Sequence, residues 1–301
     1  MPNYLHGAFW FVLVSFVSAL NDALIKLTGT RLSGIQIAFL RFFFSFLTLL
    51  PFMLRGGLRS FVTPHWKVHS IRSLFLFLAL APWCYGVIVL PLSLVTTISF
   101  STPLFVLVLS HFFLKETIDV PRLVATLIGF GGILISAGPS HIEWSSAALL
   151  LIASTVLFAS LDVINKKMLI RNESLLSLLF FSALGTTCLS APFALLDWQT
   201  PTLFECGMLL LLGVGANMIL FCLLRAFQFC ELSSLQPLRY VELLVSSAMG
   251  VVLFHEWPTV STLLGATLIV PATLYITRAE VRRRKKKAAD TPELSTEEPA
   301  V

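Results

Sequence analysis

Arg239 and Glu242 stand three positions apart in the run Pro237-Leu238-Arg239-Tyr240-Val241-Glu242. Residues at i and i+3 share a helix face, so both charges can point into one wet or protein-lined space. A guanidinium there can bind a carboxylate, and a carboxylate can bind an ammonium. The surrounding stretch, 235–254, is about twenty residues long, enough to cross a bilayer. Facing lipid, each charge would cost at least ~2.5 kcal/mol at mid-depth. Such a pair either holds something polar inside the membrane or joins two helices. The first reading makes Arg239, Tyr240 and Glu242 part of a substrate site.

Other residues of the same kind recur along the chain. Ser18, Asn21 and Asp22 fall on one helix face, and Asp22 beside Asn21 suits a gate or a polar cavity wall. Lys26 is one turn from Asp22, as Lys166 is from Asp162, and a local ion pair is the expectation for Asp162 with Lys166 and Lys167. Arg41, set among Phe39, Phe42, Phe43 and Phe44, needs a carboxylate or carbonyls and suits an aspartate partner. Trp83 and Tyr85 flank Cys84 beside Pro82 and Gly86, which favours a cavity wall. Thr96, Ser99 and Pro103 share another face. Asn217, Phe221, Arg225 and Gln228 form a stripe that should avoid lipid. Arg225 is either a carboxylate-binding group or a partner for a carboxylate such as Glu242.

The elements that must position these groups are membrane helices. Over 301 residues, 56% are hydrophobic and only 12% charged, against about a quarter charged in soluble domains. Apolar runs give ten spans, at 5–27, 35–54, 71–90, 94–114, 121–138, 145–165, 175–196, 203–228, 235–254 and 259–277. The first leads into Asn21-Asp22 rather than a cleavage site, so it reads as a span and not a signal peptide. With the N-terminus inside, Arg55, Arg59, Lys67, Arg72, Lys115, Arg122, Lys166, Lys167 and Arg171 fall on the cytoplasmic side, and only Lys26 and Arg31 outside. Both termini are therefore expected in the cytoplasm. The net charge of +5 is no nucleic-acid footprint, because seven basic residues cluster in 278–287. That cluster suits an anionic lipid surface, and 288–301 reads as disordered.

Positions about 140 apart match in type. Asp22-x-x-x-Lys26 answers to Asp162-x-x-x-Lys166, Ser93 to Ser233 and Glu116 to Glu256. With one residue of slippage, Pro51-Phe52 answers to Pro192-Phe193. Five spans per half is an odd number, so the halves should be inverted, as in secondary transporters with a midplane site. The expected fold is an all-α polytopic membrane protein of two inverted five-helix repeats, 1–140 and 141–278, with a basic tail at 279–301.

Chemistry of other kinds is not indicated. The five cysteines form no C-x-x-C or Cys/His cluster, so no metal site or disulfide framework is expected. There is no phosphate-binding P-loop, no H-E-x-x-H and no G-x-S-x-G. The expectation is a transporter and not an enzyme. A membrane-embedded enzyme or assembly subunit is the alternative from another class.

The chain resembles the drug/metabolite transporter superfamily in its EamA-type branch, and within it the S-adenosylmethionine transporters of obligate intracellular bacteria. The resemblance rests on Asn21-Asp22 with Lys26, Gly29-Thr30-Arg31-Leu32, Leu40-Arg41-Phe42-Phe43-Phe44-Ser45, Trp83 with Tyr85-Gly86, Ser99-Phe100-Ser101 with Pro103-Leu104-Phe105, Asp162-Val163-Ile164-Asn165-Lys166-Lys167 and Arg239-Tyr240-Val241-Glu242-Leu243. It implies exchange of S-adenosylmethionine for S-adenosylhomocysteine across an inner membrane, without a cofactor. In that setting Arg239 or Arg225 would hold the α-carboxylate, and Glu242, Asp22 or Asn21 the α-ammonium. Trp83, Tyr85 and Tyr240 would offer aromatic faces to the sulfonium. An exporter of amino acids or other metabolites is the alternative within the same fold.

Overall fold

A computed structural model describes residues 2–28, 31–57, 61–89, 98–137, 146–245, 248 and 260–290. The side chain of Lys26 lies outside what is described, as do Gly29, Thr30, Ser93, Thr96, Glu256 and residues 291–301. Among the described residues every regular element is helical. The helices are α1 (Pro2–Thr28), α2 (Gly34–Arg55), α3 (Trp66–Val89), α4 (Thr102–Leu114), α5 (Val120–Ala137), α6 (Ser146–Ile170), α7 (Leu175–Ala194), α8 (Leu203–Phe229), the short α9 (Leu232–Leu235) and α10 (Val260–Asp290). Six of them are long and apolar enough to cross a membrane, and two shorter apolar helices, Thr102–Leu114 and Val120–Gly132, accompany them. α10 carries the basic run 278–287 as helix and continues through residues 288–290.

Polar residues set the helix starts. Ser33 caps α2 by accepting a hydrogen bond from the Gln36 amide at 3.4 Å. Ser174 caps α7 by accepting from the Ser177 amide at 3.0 Å. These serines lie 141 positions apart, the same slipped offset that relates Pro51 to Pro192. At α8, Thr202 and Glu205 form a reciprocal capping box, satisfying two otherwise unpaired amides.

α1 shows how an almost uniformly apolar helix is oriented. Leu5, Phe9, Phe16 and Leu20 are exposed along one face. Phe11, Ser15, Ser18 and Asp22 lie on the opposite face and line an internal cavity. The spacing places lipid on one side of α1 and polar space on the other.

The helix pairing has a two-fold logic. α1 packs on α8 and α3 on α6, while α2 packs on α7 and α5 on α10. Exchanging each helix for the one five places away turns the first pair into the second and leaves the last two unchanged. α2 with α8 becomes α7 with α3, also a contact. Close approach of α2 and α8 requires Gly213, where a Cβ would come within 2.7 Å of the Ser45 amide nitrogen. Asn217, one turn on, secures the interface. It accepts from Ser45 Oγ at 2.6 Å and donates to Ser45 O at 3.0 Å and Thr48 Oγ1 at 2.9 Å.

Turns corresponding under that exchange carry polar latches at opposite places in the chain. Arg31, in the α1–α2 turn, pairs with Glu205 and donates to Thr200 O at 2.8 Å. Glu173, in the α6–α7 turn, accepts from Thr63 Oγ1 at 3.2 Å and lies 3.3 Å from His69 Nε2.

Two arginines counted with the loop charges are instead buried. α3 begins five residues before the expected span, which draws His69 into the packed helix beside Arg72, and both are buried. Arg122, in the first turn of α5, donates to Glu280 at 2.6 Å and Ser233 Oγ at 2.8 Å and pairs with Glu231 at 2.5 Å. Glu116 accepts the Leu232 and Ser233 amides at 2.9 and 2.8 Å, tying the start of α9 to the end of α4.

Glu280 is 4% exposed. Arg122→Ala would leave its carboxylate buried without that guanidinium, at a cost of about 3–5 kcal/mol. The expected result is a lower melting temperature in detergent, with most of the loss recovered in the Arg122→Ala/Glu280→Ala double variant. Equal melting of wild type and single variant would show that the cluster contributes nothing to stability.

Candidate functional site

A cavity of about 280 Å³ lies between the helices, with room for on the order of ten waters. α1 supplies Asn21 and Asp22, α2 Arg41, α3 Arg72 and Trp83, and α6 Asp162 and Asn165. Ser99 and Thr102 line it from the start of α4, Ala216 and Leu220 from α8, and Arg239 and Glu242 from the broken segment after α9.

That segment explains how two charges reach the interior. Pro237 cannot donate a backbone hydrogen bond, and Gln236–Tyr240 forms a 3₁₀ turn before helix resumes over 241–245. Side chains three apart share a side in a 3₁₀ turn and in the α-helix that follows it, so Arg239 and Glu242 stay on one side. Tyr240 points elsewhere. Its ring lies against Gly129, where there is no Cβ to obstruct it, and 5.9 Å from the Phe100 ring.

Arg239 donates to Asp162 at 2.7 Å and lies 5.7 Å above the Phe11 ring. Asp162 therefore pairs with a residue of its own half, 77 positions further along the chain. The Lys166 ammonium reaches the carbonyls of Phe227 and Cys230, the latter at 2.7 Å. Asp22, Arg41, Trp83, Arg239 and Glu242 line one space; Asp22 interacts there with the Arg41 guanidinium and the Trp83 indole, and Glu242 is within electrostatic reach of both Asp22 and Arg239. Arg41 is only 8% exposed, and its Nε has no hydrogen-bond partner. Asn21 is pressed against Gly215; its Nδ2 donates to Val17 O at 3.1 Å, while its Oδ1 has no partner. The Trp83 ring meets Phe158 edge-on at 6.0 Å.

Of the residues expected at a substrate site, Asn21, Asp22, Trp83, Ser99, Arg239 and Glu242 line the cavity, and Arg41 and Asp162 join them. Tyr85, Asn217, Arg225 and Tyr240 are not among its lining residues. Tyr85 is two positions from Trp83, hence on the far side of α3, and is 49% exposed. Arg225 lies 5.5 Å over Phe221 and donates to Gln228 at 3.2 Å. Arg72 and Asn165 are additional lining residues, joined by a 2.8 Å hydrogen bond. His69 and Arg72, spaced i to i+3 beside an apolar run, were the available sign of a buried polar face.

Ser99 and Thr102 stand 140 positions before Arg239 and Glu242, and all four line the cavity. The two halves thus bring corresponding positions to one space, with hydroxyls from one and charges from the other. In a cysteine-free background, Ser99→Cys should react with a membrane-impermeant thiosulfonate, and Tyr240→Cys should not. Comparable labelling of both would contradict this division between wall and core.

Comparisons with known proteins agree with this architecture. Residues 5–138 and 145–278 each match the EamA-like transporter family. A protein of Rickettsia bellii named S-adenosylmethionine uptake transporter is 42% identical over 287 residues, covering 95% of this chain and 98% of that protein. The protein of the same name from Rickettsia prowazekii is 40% identical, covering 95% and 97%. A riboflavin transporter of Rhizobium johnstonii is 29% identical over 94% of each chain. One solved crystal structure superposes with a TM-score of 0.75 over 94% of this chain and 98% of its own at 19% identity, which speaks for the fold alone. Two matched repeats and near full-length similarity lead to one conclusion: the chain belongs to the EamA-like transporter family, a multi-pass membrane transporter and not an enzyme.

Proposed function

We propose that this protein takes up S-adenosylmethionine across the bacterial inner membrane in exchange for S-adenosylhomocysteine. The observation that carries the reading is 40–42% identity, over 95% of the chain, to Rickettsia proteins named S-adenosylmethionine uptake transporters. The cavity chemistry supports it. The ligand combines an amino-acid head, a sulfonium and an adenine ring. The cavity offers carboxylates, a guanidinium and the aromatic faces of Trp83 and Phe158.

The transport cycle is alternating access. Ten spans form two inverted five-helix halves, 1–140 and 141–278, which rock about the cavity and open it to one side at a time. Both termini are cytoplasmic, and the basic end of α10 rests against anionic headgroups. Asn21, Asp22, Trp83, Ser99 and Glu242 contact substrate, while Arg239 with Asp162 closes the wall on one side. An empty carrier would have to take Arg41 and Glu242 through a dry intermediate, which is costly for lone charges. A loaded carrier meets them with ligand, so exchange is favoured over net flux.

The test is uptake of radiolabelled S-adenosylmethionine into cells expressing the full chain, followed by a chase with unlabelled S-adenosylhomocysteine. The expected result is several-fold more uptake than in control cells, faster efflux on chase and no competition from excess riboflavin. Absence of uptake by correctly inserted protein would overturn the substrate assignment, as would equal competition by riboflavin.

A further inference from the structure

Six ionisable side chains line the cavity: Asp22, Arg41, Arg72, Asp162, Arg239 and Glu242. They are not equally available to a ligand. Arg239 and Asp162 are held by each other at 2.7 Å. Arg72 is tied down by the packed helices. Its Nε donates to Asn165 at 2.8 Å, its terminal nitrogens to Leu178 O at 3.3 and 3.4 Å, and one of them lies 3.1 Å from His69 Nδ1. Glu173 stands on the other side of His69, 3.3 Å from Nε2, and balances the guanidinium charge. Asp22, Arg41 and Glu242 remain, two carboxylates and one guanidinium with a formal charge of minus one.

S-adenosylmethionine carries the complementary set: an ammonium, a sulfonium and one carboxylate, net plus one. S-adenosylhomocysteine keeps the amino-acid head but has a neutral thioether, and its net charge is zero. Asp22 and Arg41 line the same cavity and attract one another, a combination that suits the ammonium and carboxylate of an amino-acid head. The unpartnered Arg41 Nε, on a side chain only 8% exposed, marks a donor awaiting an acceptor. Glu242 lines the same cavity within electrostatic reach of Asp22, no hydrogen bond to it occurs among the described residues, and neither ligand's amino-acid head requires it.

Resting on the substrate reading above, we propose that Glu242 is the sulfonium counter-ion and sets the preference for S-adenosylmethionine over S-adenosylhomocysteine. Asp22 and Arg41 hold the head group common to both. The site would then discriminate by charge at one atom, while two ligands of nearly identical shape share the remaining contacts. A carboxylate facing a fixed cation in a partly dry space contributes enough to make this a discrimination of about tenfold or more.

The test is equilibrium binding of labelled S-adenosylhomocysteine to the purified full chain in lipid nanodiscs, with displacement by unlabelled S-adenosylmethionine. For Glu242→Gln the preference should fall about tenfold, through weaker S-adenosylmethionine binding, with the S-adenosylhomocysteine Kd within about threefold of wild type. Glu242→Asp should retain part of the preference. An unchanged preference in Glu242→Gln, or equal weakening of both ligands, would overturn the assignment and leave the transport reading intact. Failure of the wild-type protein to bind either ligand would overturn both.

Discussion

The ion pair between Arg239 and Asp162 is the contact on which the interior depends. Each charge alone would be expensive inside a membrane protein, and removing either partner strands the other. Together, at 2.7 Å, they fasten the broken segment after α9 to the middle of α6. The 3₁₀ turn at Gln236–Tyr240 has poorer hydrogen-bond geometry than an α-helix and gains from such an anchor. With that turn held, Glu242 comes into the cavity and the Tyr240 ring reaches Gly129. Arg122 and Glu116 hold the preceding residues through Glu231, Leu232 and Ser233. One end of the turn is thus fixed by an exposed-to-buried polar cluster, and the other by a single pair in the cavity wall.

The helix pairing is close to two-fold, but the chemistry of the cavity is not. Ser99 and Thr102 on one side correspond to Arg239 and Glu242 on the other. Asp22 and Asp162 correspond as well, yet their cationic neighbours come from unrelated helices, α2 for Asp22 and the segment after α9 for Asp162. A repeat supplies a scaffold that can be halved and re-paired. A small metabolite has no such symmetry, and substitutions at corresponding positions are how a symmetric scaffold accommodates it.

Much of this was legible in the sequence because charge inside apolar runs is rare. Asp22, Arg41, Asp162, Arg239 and Glu242 stood out for that reason, and the structure brings them to one cavity. Rotation about the helix axes was far less legible. Hydrophobicity on all faces leaves no stripe to mark the interior, so Trp83 and Tyr85 looked equivalent although two positions separate opposite sides of α3. The same holds for Tyr240 beside Arg239. Arg72 and Arg122 were counted with the cytoplasmic charges because each is the second residue of an expected span, yet both are buried. Asn217 was polar for a local reason, the tight α2–α8 contact, which no periodicity reveals.

The two corresponding latches differ in kind. Arg31 and Glu205 meet with side chains 43% and 13% exposed, whereas His69 and Glu173 are 3% and 9% exposed. Mobile ions screen the first pair and barely reach the second. Ionic strength therefore acts as a one-sided lubricant: it loosens the turn between α1 and α2 while leaving its counterpart between α6 and α7 unaffected. A scaffold built from similar halves acquires a front and a back through the solvent exposure of two turns.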